Sequence, residues 1–391
     1  MKRTKVIMII VRDILRKKAI YFMLAAIAMT SLVACTKMED MAPPRKITFE
    51  TATYRPQTKA EVSIMSEFTS FKCKAFLHAE GYDETQDMFT SSGETIYAYT
   101  DGDAVTTTSS EVAYWAPSHD YYWPKGTSSY INFIGWYDND NTMPSTASEN
   151  QLVWTDYVVD EVDDNLLYAE EAWHYKATPD PAEYHKDGSV SKGVPMLFHH
   201  ALAKLCIKAK VSDTTKENVT GGAALGNTTW DVTLSNISLA GVYSQGTLTL
   251  TNTEPSGTTA ATNDWTATWA STGTAAPISM NAISTPLTQS EVDVLAMRTV
   301  LPQEVTSSMI LSFDYNIITK FNGTEYAHEK IHASIPLSSF EVTLGGNDGI
   351  DRWNMNKKIT YTIIINPVTT TIKIDPAMVD WIIETGGTTT L

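Results

Sequence analysis

Chemistry in this chain would have to come from its carboxylates, its adjacent histidines or its few cysteines. Paired acids occur at Asp138 and Asp140, between Asp160 and Asp164, and at Asp348 and Asp351. None shows the regular oxygen-ligand spacing with its central glycine that a calcium loop needs, so solvated loops are the better reading. His199 and His200 are adjacent at what reads as the start of a strand. Neighbouring strand side chains point to opposite faces, so the two rings are poorly placed to share a metal. No HExxH, GxSxG, P-loop or dinucleotide motif occurs. The expectation is a protein with no metal, no cofactor and no catalytic centre.

Two other positions offer covalent chemistry. Residues 2–18 carry Lys2, Arg3, Lys5, Arg12, Arg16, Lys17 and Lys18 against Asp13, and Ala19–Ala34 is uncharged and mostly apolar. A basic stretch followed by a short apolar one is a secretory signal, too short for a comfortable membrane span. It ends in Leu32-Val33-Ala34-Cys35, which resembles the lipobox of bacterial lipoproteins. That resemblance implies acylation of Cys35 and removal of residues 1–34; several acyl chains anchor a protein essentially permanently. The alternative is an uncleaved anchor helix with an incidental cysteine. The acidic stretch after Cys35, with Glu39 and Asp40, resembles the surface-export signal of Bacteroidales lipoproteins, or is a plain polar spacer. The second position is Lys59-Ala60, a basic residue in a polar link.

Composition narrows the class. The chain has 391 residues and a formal charge of −16, and the leader would remove seven bases and one acid. A body this acidic repels nucleic acid and anionic membrane surfaces. What remains is long enough for two domains with real cores. Three cysteines exclude a disulfide framework. Cys73 alternates with Phe71, Ala75 and Leu77 and should face a core. Cys206 alternates with Lys204, Lys208 and Lys210 and should face outward, so a bond between the two is not favoured.

The elements that carry these residues are strands. Thr, Val, Ile, Tyr and Trp are abundant, turn clusters recur, and no capped helical pattern follows the leader, as in β-sandwiches. Ile47-Thr48-Phe49 reads as a first strand, with Thr51–Lys59 a polar link. Further strands are expected around Phe71–Leu77, Thr95–Tyr99, Val112–Trp115, Ile131–Tyr137, Leu152–Val159 and Leu166–Ala169. Asp138–Glu149 is a loop and His174–Gly193 a link. A second unit begins near Val194, with Leu205, Ile207, Ala209 and Val211 on one face of a strand. Trp230–Leu239 and Gly246–Thr251 read as a hairpin pair. Asn252–Thr285 is the least determined region. Val292–Leu301, Met309–Ile318, Glu325–Ile335 and Ile359–Ile365 are strands, with Ile372 and Ile374 beyond.

Four stretches together resemble the fimbrillin family of Bacteroidales. They are Tyr122-Trp123-Pro124 followed by Asn132-Phe133-Ile134; Asp164–Ala169; Val194–Val211 with its LFHHALAKL run; and Trp353–Ile365 leading to Asp380-Trp381. With the lipobox they span nearly the whole chain in the family's order. The resemblance implies an all-β fold of two tandem transthyretin-like β-sandwich domains behind a lipoprotein signal peptide. The expected plan is a leader at 1–34, a lipidated propeptide with the first strand at 35–59, and sandwiches at 60–193 and 194–391. It implies a pilus or accessory subunit serving adhesion, located in the outer membrane, at the cell surface and in the fimbrium. Its partners would be other fimbrial subunits, the outer membrane through the lipid anchor, a trypsin-like processing protease and a receptor on a host or bacterial surface, with no nucleic acid.

In that family a protease cuts behind the first strand, and a strand from a neighbouring subunit fills the groove. The family's arginine is replaced here by lysine in Thr58-Lys59-Ala60, while Arg55 precedes Pro56 and Arg45 precedes the strand. Cleavage between Lys59 and Ala60 would release Ile47, Thr48 and Phe49. Asp213-Thr214-Thr215 resembles the Bacteroidales O-glycosylation tripeptide. Ten tryptophans and eighteen tyrosines support an alternative, a surface glycan-binding outer-membrane lipoprotein that does not polymerise.

Overall fold

The computed structural model describes residues 46–53, 68–79, 81–82, 84–100, 103–104, 114–124, 129–159, 164–170, 172–175, 193–212, 228–252, 265–339 and 350–381. Among them lie β1 (Phe49–Thr53), β2 (Ser70–His78), β3 (Gln86–Asp87), β4 (Glu94–Thr100), β5 (Asp103–Ala104), β6 (Tyr114–Pro117), β7 (Tyr130–Asp138) and β8 (Thr146–Ser148). Then come β9 (Gln151–Val158), β10 (Leu166–Ala169), β11 (Ala172–Tyr175), β12 (Val194–His200), β13 (Ala203–Val211), β14 (Thr228–Val242), β15 (Gln245–Thr251) and β16 (Thr266–Thr272). The last are β17 (Ala276–Ser279), β18 (Val292–Val300), β19 (Gln303–Glu304), β20 (Ile310–Phe321), β21 (Thr324–Pro336), β22 (Arg352–Trp353), β23 (Lys357–Asn366) and β24 (Thr371–Asp380). A single 3-10 turn, Leu337–Ser339, is the one helical element among the described residues. The fold is all-β, as expected.

The first sheet, of ten strands, runs β11-β7-β10-β12-β1-β6-β4-β2-β3, with β5 beside β4 and β2 also paired with β7. Hydrogen bonding therefore circles this body without a break, through β7, β10, β12, β1, β6, β4 and β2. Closure removes the exposed edges that an open sheet would present to other chains. Its interior holds Phe49, Phe71, Cys73, Ile96, Trp115, Phe133, Met196 and Phe198. Cys73 faces that core as its alternation predicts. β12 belongs to this ring, and the chain leaves it only at Ala201 and Leu202. His199 and His200 thus end a strand, where the sequence suggested that they begin one.

A second body packs β18-β13-β23-β24 on β17-β14-β20-β21. Leu205, Ile207 and Ala209, with Ile359, Tyr361, Ile363 and Ile365, face Leu311, Phe313, Tyr315 and Ile317 in its core. Period-two alternation makes each of these strands. β14 changes parity: Val232 and Leu234 are buried, then Ile237 and Leu239. The register to β20 shifts between Ser235 and Ser238, where Asn236 has φ 53°. The extra residue of this bulge restores the apolar face to the core.

Between them lies a sheet that the sequence concealed. β9 pairs with β15, in the order β16-β15-β9-β8, so Trp230–Leu239 and Gly246–Thr251 do not form a hairpin. β14 pairs with β20 instead, and the chain turns from one sheet into another at Gly241–Ser244. Trp154, Leu152, Leu248, Leu250 and Trp269 of this sheet pack with Ile134, Trp136, Leu166, Leu202 and Trp381. Trp265 and Trp269 donate their indole N–H groups to the carbonyls of Ala169 and Ala201, at 2.9 and 2.8 Å.

Two further expectations are corrected. Cys206 is buried, its thiol 3.8 Å from Asp293 Oδ1. β18 pairs alongside its strand and brings Asp293 over the thiol. Burial, and then the Asp293 charge, push its thiol pKa up. Asp138 is not in a solvated loop: it is buried, accepts from Thr142 N at 2.6 Å and from Tyr157 Oη at 3.0 Å, and so closes its turn.

His200 couples the two bodies. Its Nδ1–H donates to Asn165 Oδ1 at 3.0 Å, and its ring stacks on Trp381 with centroids 3.6 Å apart and planes 8° from parallel. Burial, and then the charges of Lys204, Lys358 and His199, hold its pKa well below the ordinary histidine value. The folded state therefore excludes a proton that the unfolded chain binds below about pH 6.5. This contribution is fully present above that pH and is lost as pH falls below it, by about 1.4 kcal/mol per pH unit. Urea denaturation of the chain and of His200→Gln at pH 5 to 7.5 should show a shallower acid slope in the variant; equal slopes would contradict this account.

Candidate functional site

With no metal-ligating cluster of three or more side chains among the described residues, the candidate site is the seat of β1. Its construction begins with two side chains. Ile47 and Phe49 are both fully buried, at 1% and 0% exposure. Phe49 meets Phe133 edge-on at 5.3 Å, Phe71 at 6.0 Å and Phe89 at 6.5 Å. Burying two such side chains contributes on the order of 3–6 kcal/mol. β1 is thus a hydrophobic plug as well as a strand.

The backbone holds β1 unequally on its two sides. Along β12 it runs parallel for five residue pairs, from Phe49 opposite Val194 to Thr53 opposite Phe198. Along β6 one pair is made, Phe49 opposite Trp115. At its entry Ile47 N donates to Tyr121 O at 2.8 Å, and Val194 N donates to Thr48 O at 2.7 Å. The strand reaches Thr53, three residues into what the sequence suggested as link.

Gly193 shapes the entry. It has φ +119°, and a Cβ there would lie 2.1 Å from Thr48 O and 2.5 Å from Phe49 N. Only glycine lets the start of β12 lie this close to β1. The wall opposite is aromatic. Tyr121 donates its hydroxyl to Glu94 Oε2 at 3.2 Å, and burial together with the Glu94 charge pushes its pKa up to about 12. Trp123 lies edge-on to Phe133 at 6.0 Å.

Of the residues singled out in the sequence, Ile47, Thr48 and Phe49 lie in this seat. Cys35, Lys59, Ala60 and the tripeptide Asp213–Thr215 lie outside the described residues. His199 is in ion-pair range of Glu170, Nε2 to Oε1 at 3.0 Å, and stacks on Tyr168. His199 and His200 therefore go to separate structural partners, as the strand geometry predicts. Gly193, Tyr121 and Trp115 were missed as parts of the site. For Gly193 the available signal was a glycine immediately before an apolar strand.

Residues 79–381 match the sequence model of the fimbrillin-like family. The chain belongs to the fimbrillin-like family. No curated protein matches it. Among solved structures, this fimbrillin-like chain is similar to a fimbrial protein of Bacteroides vulgatus. The two share 15% identity with a TM-score of 0.51, over 86% of this chain and 100% of that one. It is also similar to a candidate cell adhesion protein of Bacteroides uniformis, at 16% identity and TM-score 0.40 over 86% and 98% of the chains. A third is the tip fimbrial protein Mfa3 of Porphyromonas gingivalis with a C-terminal truncation, at 10% identity and TM-score 0.36 over 86% and 100%. β1 and β2 precede the span matched by the family, so the seat of β1 stands on its own geometry.

Gly193→Ala should lower stability by about 2 kcal/mol or more, because backbone must move to admit the methyl group. Phe49→Ala should cost about 3–5 kcal/mol. Urea denaturation reads both, and a Gly193→Ala change within about 0.5 kcal/mol of zero would contradict the close approach.

Proposed function

We propose that this chain is a fimbrial subunit, exported as a lipoprotein and assembled at the cell surface by strand exchange at the seat of β1. The observation that carries the reading is the seat itself. An N-terminal strand fills a phenylalanine-lined gap, is gripped along one side by β12, and touches β6 through a single pair. Taking out β1 would leave unpaired backbone on β12 and β6 and an apolar groove around Phe71, Phe133 and Phe198. An added strand from another subunit restores both hydrogen bonds and burial. Until then the protein's own strand blocks association, which suits a subunit in transit.

The same reading assigns the rest of the chain. Residues 1–34 are the signal peptide, and Cys35 carries the acyl anchor to the outer membrane. Residues 35–59 form the propeptide with the first strand. The bodies at 60–193 and 194–391 are the two sandwiches, the second lending β12 to the sheet of the first. A trypsin-like protease cuts between Lys59 and Ala60. The product serves adhesion with other fimbrial subunits and a surface receptor, and no step requires catalysis by this chain.

Limiting trypsin on the chain without its leader and Cys35 tests this. Mass spectrometry should find a stable fragment beginning at Ala60, absent in Lys59→Gln, and unboiled SDS gels should show a ladder. A monomeric fragment beginning at Ala60 would restrict the role to a tip or accessory subunit that needs a partner's strand. Protection of Lys59 with an intact body would overturn the processing step.

A further inference from the structure

The second body holds, among the described residues, an arginine whose buried Nε has no hydrogen-bond partner. Arg298 lies near the end of β18, opposite Leu205 of β13. Its Nε is buried and makes no hydrogen bond. The residue lines a cleft of about 330 Å³, whose other described walls include Val158, Val242, Ile278, Ser244 and Ser279. Arg298 is the one charged side chain among the described residues lining it. Arg298 itself is half-buried, and a buried Nε–H without an acceptor is costly enough to call for a partner.

We propose that this cleft binds a small carboxylate-bearing ligand, held by Arg298. A planar guanidinium takes a carboxylate through two parallel hydrogen bonds, and apolar walls strengthen that pairing. One cation balances one negative charge. A phosphate dianion would keep an uncompensated charge against Val and Ile side chains, in a protein whose net charge is already −16. The cleft also lies where two sheets end, since β18 and β17 are both outermost in their sheets. Their outer backbone groups and the two serine hydroxyls can meet further polar groups of the ligand. The volume suits one sugar ring or one peptide side chain rather than a folded partner. Two sources therefore share the chemistry, an acidic monosaccharide and an acidic peptide. The inference rests on the cleft alone and is independent of assembly through β1.

Calorimetric titration of the full chain with glucuronic acid, N-acetylneuraminic acid, a neutral methyl hexoside and a short peptide bearing one aspartate tests it. The acids should bind saturably, the neutral sugar should not, and Arg298→Gln should weaken binding by at least about tenfold, with Arg298→Lys recovering part. Saturation by the acidic sugars assigns a sugar source, and saturation by the peptide alone assigns a peptide carboxylate; either supports the site. Should Arg298→Gln fail to fold, Val158→Glu offers a second route. Val158 is 51% exposed at the rim, and a carboxylate placed there should compete for Arg298 and weaken binding. Failure of every acid to bind up to about 20 mM, or equal binding by the variants, would overturn the proposal.

Discussion

The first body depends on one strand completing a ring. Without β1, hydrogen bonding from β12 to β6 is interrupted, and the aromatic cluster around Phe71 and Phe133 loses Phe49 from its centre. The closed state removes edges, and the interrupted state exposes two of them beside an apolar trough. Few other strands could serve this way. β7 and β2 share a seven-pair ladder and each makes several pairs along its other edge, β2 with β4 and β7 with β10 and β11, whereas β1 has five pairs on one edge and one on the other.

The contacts that join the two bodies lie apart from β1. The middle sheet takes β9 from the first half of the chain and β15 and β16 from the second. Trp265 and Trp269 fasten it to the carbonyls of Ala169 and Ala201. The stacked pair of His200 and Trp381 adds a contact between β12 and the chain's last described residue. None of these contacts involves β1. The energy that holds the two bodies together is therefore separate from the energy that holds the plug.

Much of the fold could be read from periodicity. Ile359, Tyr361, Ile363 and Ile365 alternate without interruption and all four are buried, with Thr362 of the opposite face buried as well. Phe49 and Ile47 stood out in the same way. What could not be read were relations between distant segments. The parallel pairing of β1 with β12 and the joining of β9 to β15 depend on tertiary packing, which local pattern does not encode. The bulge at Asn236 shifts parity inside one strand, and Cys206 is buried against Asp293 of β18 although the lysines beside it marked its face as outward. The closeness of Gly193 to Thr48 likewise arises only once both strands are in place.

In the proposed assembly the seat vacated by β1 is refilled by another chain's strand. Hydrogen–deuterium exchange tests it most directly, comparing intact protein, freshly cut protein and assembled protein. Amides of β12 and β6 should be protected when β1 is present, exchange rapidly after its removal, and regain protection on assembly, while those of β23 remain protected throughout. Assembled material in which β12 and β6 still exchange as fast as in the cut monomer would contradict the claim.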